Sequence, residues 1–135
     1  MQRLKMAVVG AGVMGQTHAR TIAECDSAEL VAIVDVNATL GAQVANRFGA
    51  KYISSIEEAM EDRSIDAFTV ALPDRLHVDA ASKLLSGGKA VLLEKPMADT
   101  LEGARKIAEA AKRGDARLMV AQLLRFDPRY ATAAA

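Results

Sequence analysis

The chain predicts an α/β fold in which helices cover both faces of a doubly wound, parallel, six-stranded sheet. Three observations carry this. Short apolar, β-branched runs alternate with helix-like stretches along the 135 residues. Those runs show almost no polar alternation, as expected of strands covered on both faces. The first run leads into "VVGAGVMGQTHAR" (8–20), which packs three glycines into six residues.

The elements follow in order. "KMAVVG" (5–10) reads as a buried strand and Val13 to Cys25 as a helix. "ELVAIVD" (29–35) is the second strand. Asn37 is placed to cap a helix through "ATLGAQVANRF", which stops near Gly49. "KYI" (51–53) is a short third strand. "SSIEEAM" carries capping-box spacing twice, from Ser54 to Glu57 and from Ser55 to Glu58. "DAFTVAL" (66–72) is a strand ending at Pro73, and Arg75 to Ser86 a helix closed by Gly87 and Gly88. "AVLLE" (90–94) is a strand ending before Pro96. Asp99 then opens the best-marked helix, with Glu102 at the capping-box position. Leu101, Ala104, Ala108 and Ala111 are its expected apolar stripe. Glu102–Lys106 and Glu109–Arg113 are its i,i+4 ion pairs. Gly114 ends it, and "RLMVAQL" (117–123) is the sixth strand. Right-handed crossovers give the strand order 3-2-1-4-5-6, so the sheet finishes at about residue 123.

Composition excludes several function classes. Lysine plus arginine equal aspartate plus glutamate at 17 each, so no electrostatic case exists for nucleic acid or an anionic membrane. No run approaches the roughly 18 apolar residues of a membrane helix. The single cysteine, Cys25, cannot form an internal disulfide, which makes a reducing, cytoplasmic compartment the default. Two histidines and one cysteine far apart give no metal-ligand cluster. Met6, Met14 and Met119 are expected as plain packing. The tail "YATAAA" reads as a chain cut off.

Gly10, Gly12 and Gly15 fit G-x-G-x-x-G, placed after a strand and before a helix. Gly10 allows the tight turn. Gly12 lets the backbone approach a pyrophosphate, and Gly15 lets the helix pack close on the strand. Val13 and Met14 lie in the helix N-terminus, whose free N–H groups and dipole favour phosphate. Asp35 ends the second strand twenty residues after Gly15. Its carboxylate suits the ribose hydroxyls of a dinucleotide and repels a 2′-phosphate. Val36 and Asn37 add no positive charge, so NAD is favoured over NADP. A cap or surface turn is the plainer reading of Asp35. A methyltransferase using S-adenosylmethionine also has a glycine-rich first turn, but usually with an acid before a tighter G-x-G, where Val8 and Val9 stand here.

Further stretches sharpen the reading. "ALPDRLHVDAA" (71–81), "GGKAVLLEKPMA" (87–98) and "RFDPRY" (125–130), with "VVGAGVMGQTHA", resemble the glucose–fructose oxidoreductase / inositol dehydrogenase / rhizopine catabolism family. The Glu94-Lys95-Pro96 triplet is the most specific element. The family often has Asn in the stretch that here reads Leu72-Pro73-Asp74. The resemblance covers the whole chain but only the family's first domain. It implies residues 1–123 as an NAD-binding Rossmann domain and 124–135 as the start of a substrate domain. It also implies hydride transfer between a nicotinamide cofactor and a hydroxyl carbon of a sugar, polyol or cyclitol, in a homo-oligomer when full length.

By this resemblance Lys95 is the catalytic lysine, orienting the substrate hydroxyl or relaying its proton; an ion pair is its plainer alternative. Glu94 is expected to orient the cofactor or Lys95. Pro96 is expected to fix the turn, through a cis peptide. Leu72, Pro73 and His77 belong to the expected cofactor edge, with packing or capping the alternative for His77. His18 reads as a satisfied, half-buried histidine. A second class of function stays open, a stand-alone NAD-binding sensor or partner-subunit module. The alone-standing fragment is expected to be inactive and to expose an apolar face near Arg125 to Tyr130.

Overall fold

β1 (Leu4–Val9), β2 (Ala28–Val34), β3 (Lys51–Ile53), β4 (Ala67–Val70), β5 (Ala90–Leu93) and β6 (Leu118–Val120) form one sheet in the order β3-β2-β1-β4-β5-β6. Every pairing is parallel. This is the computed structural model of the chain, and it describes residues 3–133. Met1, Gln2 and the last two alanines of the tail lie outside the described residues.

The sheet splits its side chains between two cores, because successive strand residues point to opposite faces. Val8 and Ile33 pack with Ala19 and Ile22 of α1 (Val13–Ala23) and with Val44 and Ala45 of α2 (Ala38–Phe48). Ala7, Val9, Phe68, Val70 and Leu93 face the other way. They meet Ala59 of α3 (Ile56–Glu61), Leu84 and Leu85 of α4 (His77–Ser86), and Ile107 of α5 (Leu101–Arg113). Burial on both faces explains why these strands lack polar alternation. The expected doubly wound sheet and its strand order are therefore present, and no second domain occurs among the described residues.

Caps match the sequence in part. The Asn37 side chain accepts from Leu40 N–H, and Gly49 ends α2 in the left-handed conformation. Ser55 caps α3, while the Glu58 carboxylate reaches back to Ser54 rather than to Ser55. The α5 cap differs from the expectation. Thr100, not Asp99, accepts from Gly103 N–H. The buried row of α5 is Gly103, Ile107 and Ala110, whereas Leu101 is 69% exposed and Ala104, Ala108 and Ala111 are half-buried. The reason is close packing on α4. A Cβ on Gly103 would come within 2.7 Å of Val78, so the smallest residue in the turn faces the neighbour. Glu102–Lys106 pairs at 2.8 Å, and no Glu109–Arg113 pair occurs among the described residues. β6 is shorter than the 117–123 run. Past Val120 the chain enters a 3-10 turn at Leu123–Phe126, and α6 follows at Pro128–Ala133. Met14 and Met119 are exposed rather than packed. Met119 lines an open groove with Met6 and Leu92.

Candidate functional site

Parallel strands put all their C-terminal ends on one edge. The turn Gly10–Gly15 follows β1, Asp35 follows β2, Leu72–His77 follows β4, and Glu94–Pro96 follows β5. Exposed large apolar side chains mark the same edge. Val13, Met14, Val36 and Leu76 lie in the segments that directly follow β1, β2 and β4. Apolar residues gathered beside convergent polar groups are the signature of a ligand crevice.

The three glycines answer to different demands. Gly10 has φ +100°, and a Cβ there would stand 2.5 Å from the Ala71 carbonyl oxygen. A Cβ on Gly15 would stand 1.8 Å from the Gly10 carbonyl oxygen. Both positions are forced by the chain's own packing. Gly12 is not. Its φ is −68°, and an added Cβ would meet nothing within 4 Å. Gly12 is also the N-cap of α1, and among the described residues no side chain caps that helix. The open space therefore lies against unspent N–H groups and the positive end of the helix dipole. These residues fit a dinucleotide pyrophosphate, which needs backbone approach at that point.

Asp35 organises the neighbouring turn. Its Oδ2 accepts from Ala11 N–H at 2.7 Å and its Oδ1 from Asn37 N–H at 2.8 Å. The Tyr52 hydroxyl donates to the Asp35 carbonyl at 3.1 Å. An ionised carboxylate has about four lone-pair sites, so both oxygens keep capacity for further donors such as ribose hydroxyls. Val36, beside it, is 93% exposed.

The fifth strand ends in a buried acid. Glu94 is 5% exposed; its Oε2 accepts from Lys95 N–H at 3.0 Å, and its Oε1 lies 2.8 Å from His18 Nε2. The Lys95 side chain is exposed, and its Nζ has no hydrogen bond or ion pair among the described residues. The Lys95–Pro96 bond is cis. His77 is buried, with Nδ1 2.8 Å from the Pro96 carbonyl oxygen and Nε2 2.8 Å from that of Leu72. A neutral imidazole can donate to only one of those two carbonyls; the imidazolium donates to both. Leu72 is half-buried and Pro73 exposed at the start of the 3-10 turn Asp74–Leu76. Sequence reasoning missed His18 as part of this site. It is satisfied and half-buried as expected, but its partner is Glu94. The signal was its position three residues after Gly15, on the sheet-facing side of α1.

Comparison with known proteins agrees with this geometry. Residues 4–122 match an oxidoreductase family described by its NAD-binding Rossmann fold. The rhizopine catabolism protein MocA of Rhizobium meliloti is 34% identical over 128 residues, 95% of this chain and 40% of that protein. Inositol 2-dehydrogenase 2 of Saccharopolyspora erythraea is 37% identical over 131 residues, 94% of this chain and 38% of that one. The solved structure of GenD2 from gentamicin A biosynthesis, in complex with NAD, has TM-score 0.92 and 32% identity over 98% of this chain and 38% of its own. The WlbA dehydrogenase from Bordetella pertussis, with NADH and UDP-GlcNAcA, has TM-score 0.91 and 28% identity over 97% and 40%. The chain thus spans about two-fifths of the length of the relatives it matches. With the fold, the glycine turn and these relatives in agreement, the chain belongs to the glucose–fructose oxidoreductase / inositol dehydrogenase / rhizopine catabolism family of oxidoreductases and carries its NAD-binding Rossmann fold.

Proposed function

We propose that this chain holds NAD, in preference to NADP, for an oxidoreductase acting on a hydroxyl carbon of a sugar or cyclitol. The observation that carries the reading is Gly12, a glycine that neither packing nor φ demands, set against an uncapped helix N-terminus. A bound nicotinamide would supply the carbon that exchanges hydride. The chain's residues do the rest. The α1 N-terminus, with Gly12, Val13 and Met14, holds the pyrophosphate. Asp35 takes the adenosine ribose hydroxyls and repels a 2′-phosphate. Oxidising an alcohol also releases the hydroxyl proton, and in this reading Lys95 orients that hydroxyl and relays the proton. Its unengaged Nζ on the crevice edge supports this role. The inositol dehydrogenases among the relatives support a polyol substrate. The chain alone binds NADH and turns over no polyol, because it spans two-fifths of such enzymes and the other part would line the substrate.

The test is a titration with NADH and with NADPH, followed by nicotinamide fluorescence. The sequence has no tryptophan, so the protein background is low. Wild type is expected to bind NADH ahead of NADPH. Gly12→Ala is expected to bind NADH at least tenfold more weakly, with its stability changed by no more than about 1 kcal/mol. Equal NADH affinity in wild type and Gly12→Ala would remove the basis of the reading.

A further inference from the structure

The sequence contains two histidines, and both end on the same three-residue turn. His77, from α4, faces the Pro96 carbonyl. His18, from α1, faces the Glu94 carboxylate. Glu94 divides its oxygens, one toward His18 and the other toward the Lys95 N–H. Ionised carboxylates only accept, so His18 Nε2–H donates and Glu94 passes the constraint to the lysine backbone. The acid is 5% exposed, and a buried carboxylate is held only by such partners.

We propose that His18 is a positioning residue for Lys95, acting through Glu94. The proposal rests on the reading of Lys95 as the proton-handling residue of an NAD-linked oxidoreductase. α1 begins at the glycine turn and carries His18 just over one turn further on. One rigid helix therefore joins the pyrophosphate site to the turn that bears Lys95. Without the His18 donor, Glu94 Oε1 has no partner among the described residues. The carboxylate then turns toward water, and the Lys95 N–H loses its fixed acceptor. The Lys95 side chain would keep its chemistry and lose its aim.

Two substitutions separate this role from simple packing. Glutamine places its Nε2 as many bonds from Cβ as histidine does, so His18→Gln keeps the donor. Asparagine is one bond shorter, so His18→Asn is polar but cannot reach Glu94. The readout is the Lys95 amide resonance in 15N-labelled chain, its hydrogen-exchange protection, and its shift on adding NADH. In His18→Asn the amide is expected to move from its carboxylate-bonded position and to exchange at least tenfold faster. Amides of β1 and α5 stay in place, showing that the fold persists. His18→Gln is expected to restore the wild-type signal. An unchanged Lys95 amide in His18→Asn overturns the proposal, and so does equal damage in both variants. If neither variant folds, Glu94→Ala, which removes the acceptor altogether, is read the same way; an unmoved Lys95 amide there also overturns it. The cofactor reading is judged separately. A wild-type chain whose Gly12 and Lys95 amides ignore NADH defeats that reading, while the cofactor-free spectra still decide His18.

Discussion

Asp35, just past the end of β2, and Ala11, in the glycine turn that follows β1, are joined directly, the Asp35 carboxylate accepting the Ala11 N–H at 2.7 Å. The acid thus shapes the glycine turn before any ligand arrives. Asp35→Asn tests both of its duties. Two backbone N–H groups face two side-chain oxygens, and an amide offers one oxygen, so one donor is orphaned. The expected loss is about 1.5–3 kcal/mol in urea unfolding. NADH affinity is expected to fall, and the gap between NADH and NADPH to narrow as the negative charge is removed. An unchanged gap would show that Asp35 does not set cofactor choice.

Gly15→Ala sets two effects against each other. Alanine gains about 1 kcal/mol over glycine inside a helix. The new Cβ, however, would sit 1.8 Å from a backbone oxygen, which no side-chain rotation relieves. The clash wins, with an expected loss of about 3 kcal/mol or more. Gly114→Ala, whose Cβ would lie 1.7 Å from the Leu85 carbonyl oxygen, is expected to behave alike in thermal unfolding.

Thr69 carries a fully buried hydroxyl with no hydrogen-bond partner among the described residues. Thr69→Val keeps the shape and the β-branching and removes the orphan. It is expected to stabilise by about 1 kcal/mol, raising the melting temperature by about 3–5 °C. A lower melting temperature would reveal a partner for the hydroxyl, such as a buried water.

Leu123, Leu124, Phe126 and Tyr130 are each more than half exposed, as the sequence led one to expect of this stretch. Large exposed apolar side chains gathered in one short segment favour association. Sedimentation velocity is expected to show concentration-dependent self-association, reduced by Leu124→Ser together with Phe126→Ser. Sharp monomer behaviour at all concentrations would count against it.

Hydrogen bonds from Lys83, Ser64, Lys106 and Arg129 hold the carboxyls of Glu57, Asp62, Glu102 and Asp127 below their ordinary values. Groups depressed in the folded state stabilise it above their unfolded pKa, and the benefit is lost as pH falls through the folded values. All four are at the surface, so each effect is small and screened. Melting curves are expected to begin losing this contribution below about pH 4.5, with a shallower loss in high salt. An acid limb indifferent to salt would assign the loss to other groups.

Much of this molecule is determined locally. Apolar runs without alternation specify buried strands, glycines and caps specify where they turn, and right-handed crossovers leave one practical strand order. The glycine turn, Asp35 and the Glu94-Lys95-Pro96 triplet were legible for the same reason, since strand ends of a parallel sheet share one edge. The rotation of α5 was not. Its alanines make two faces nearly equal in apolarity, and only close packing at Gly103 against Val78 chose between them. Nor could spacing show that Gly12, unlike Gly10 and Gly15, meets no part of its own chain. His18 and Glu94 stand 76 residues apart, and no local pattern records that one completes the other. The sequence by itself determined which segments reach the crevice, because periodicity and turn chemistry act between near neighbours. Only the tertiary structure decided which side chains grip one another there, because that depends on how each helix is turned about its axis by the surface it packs against.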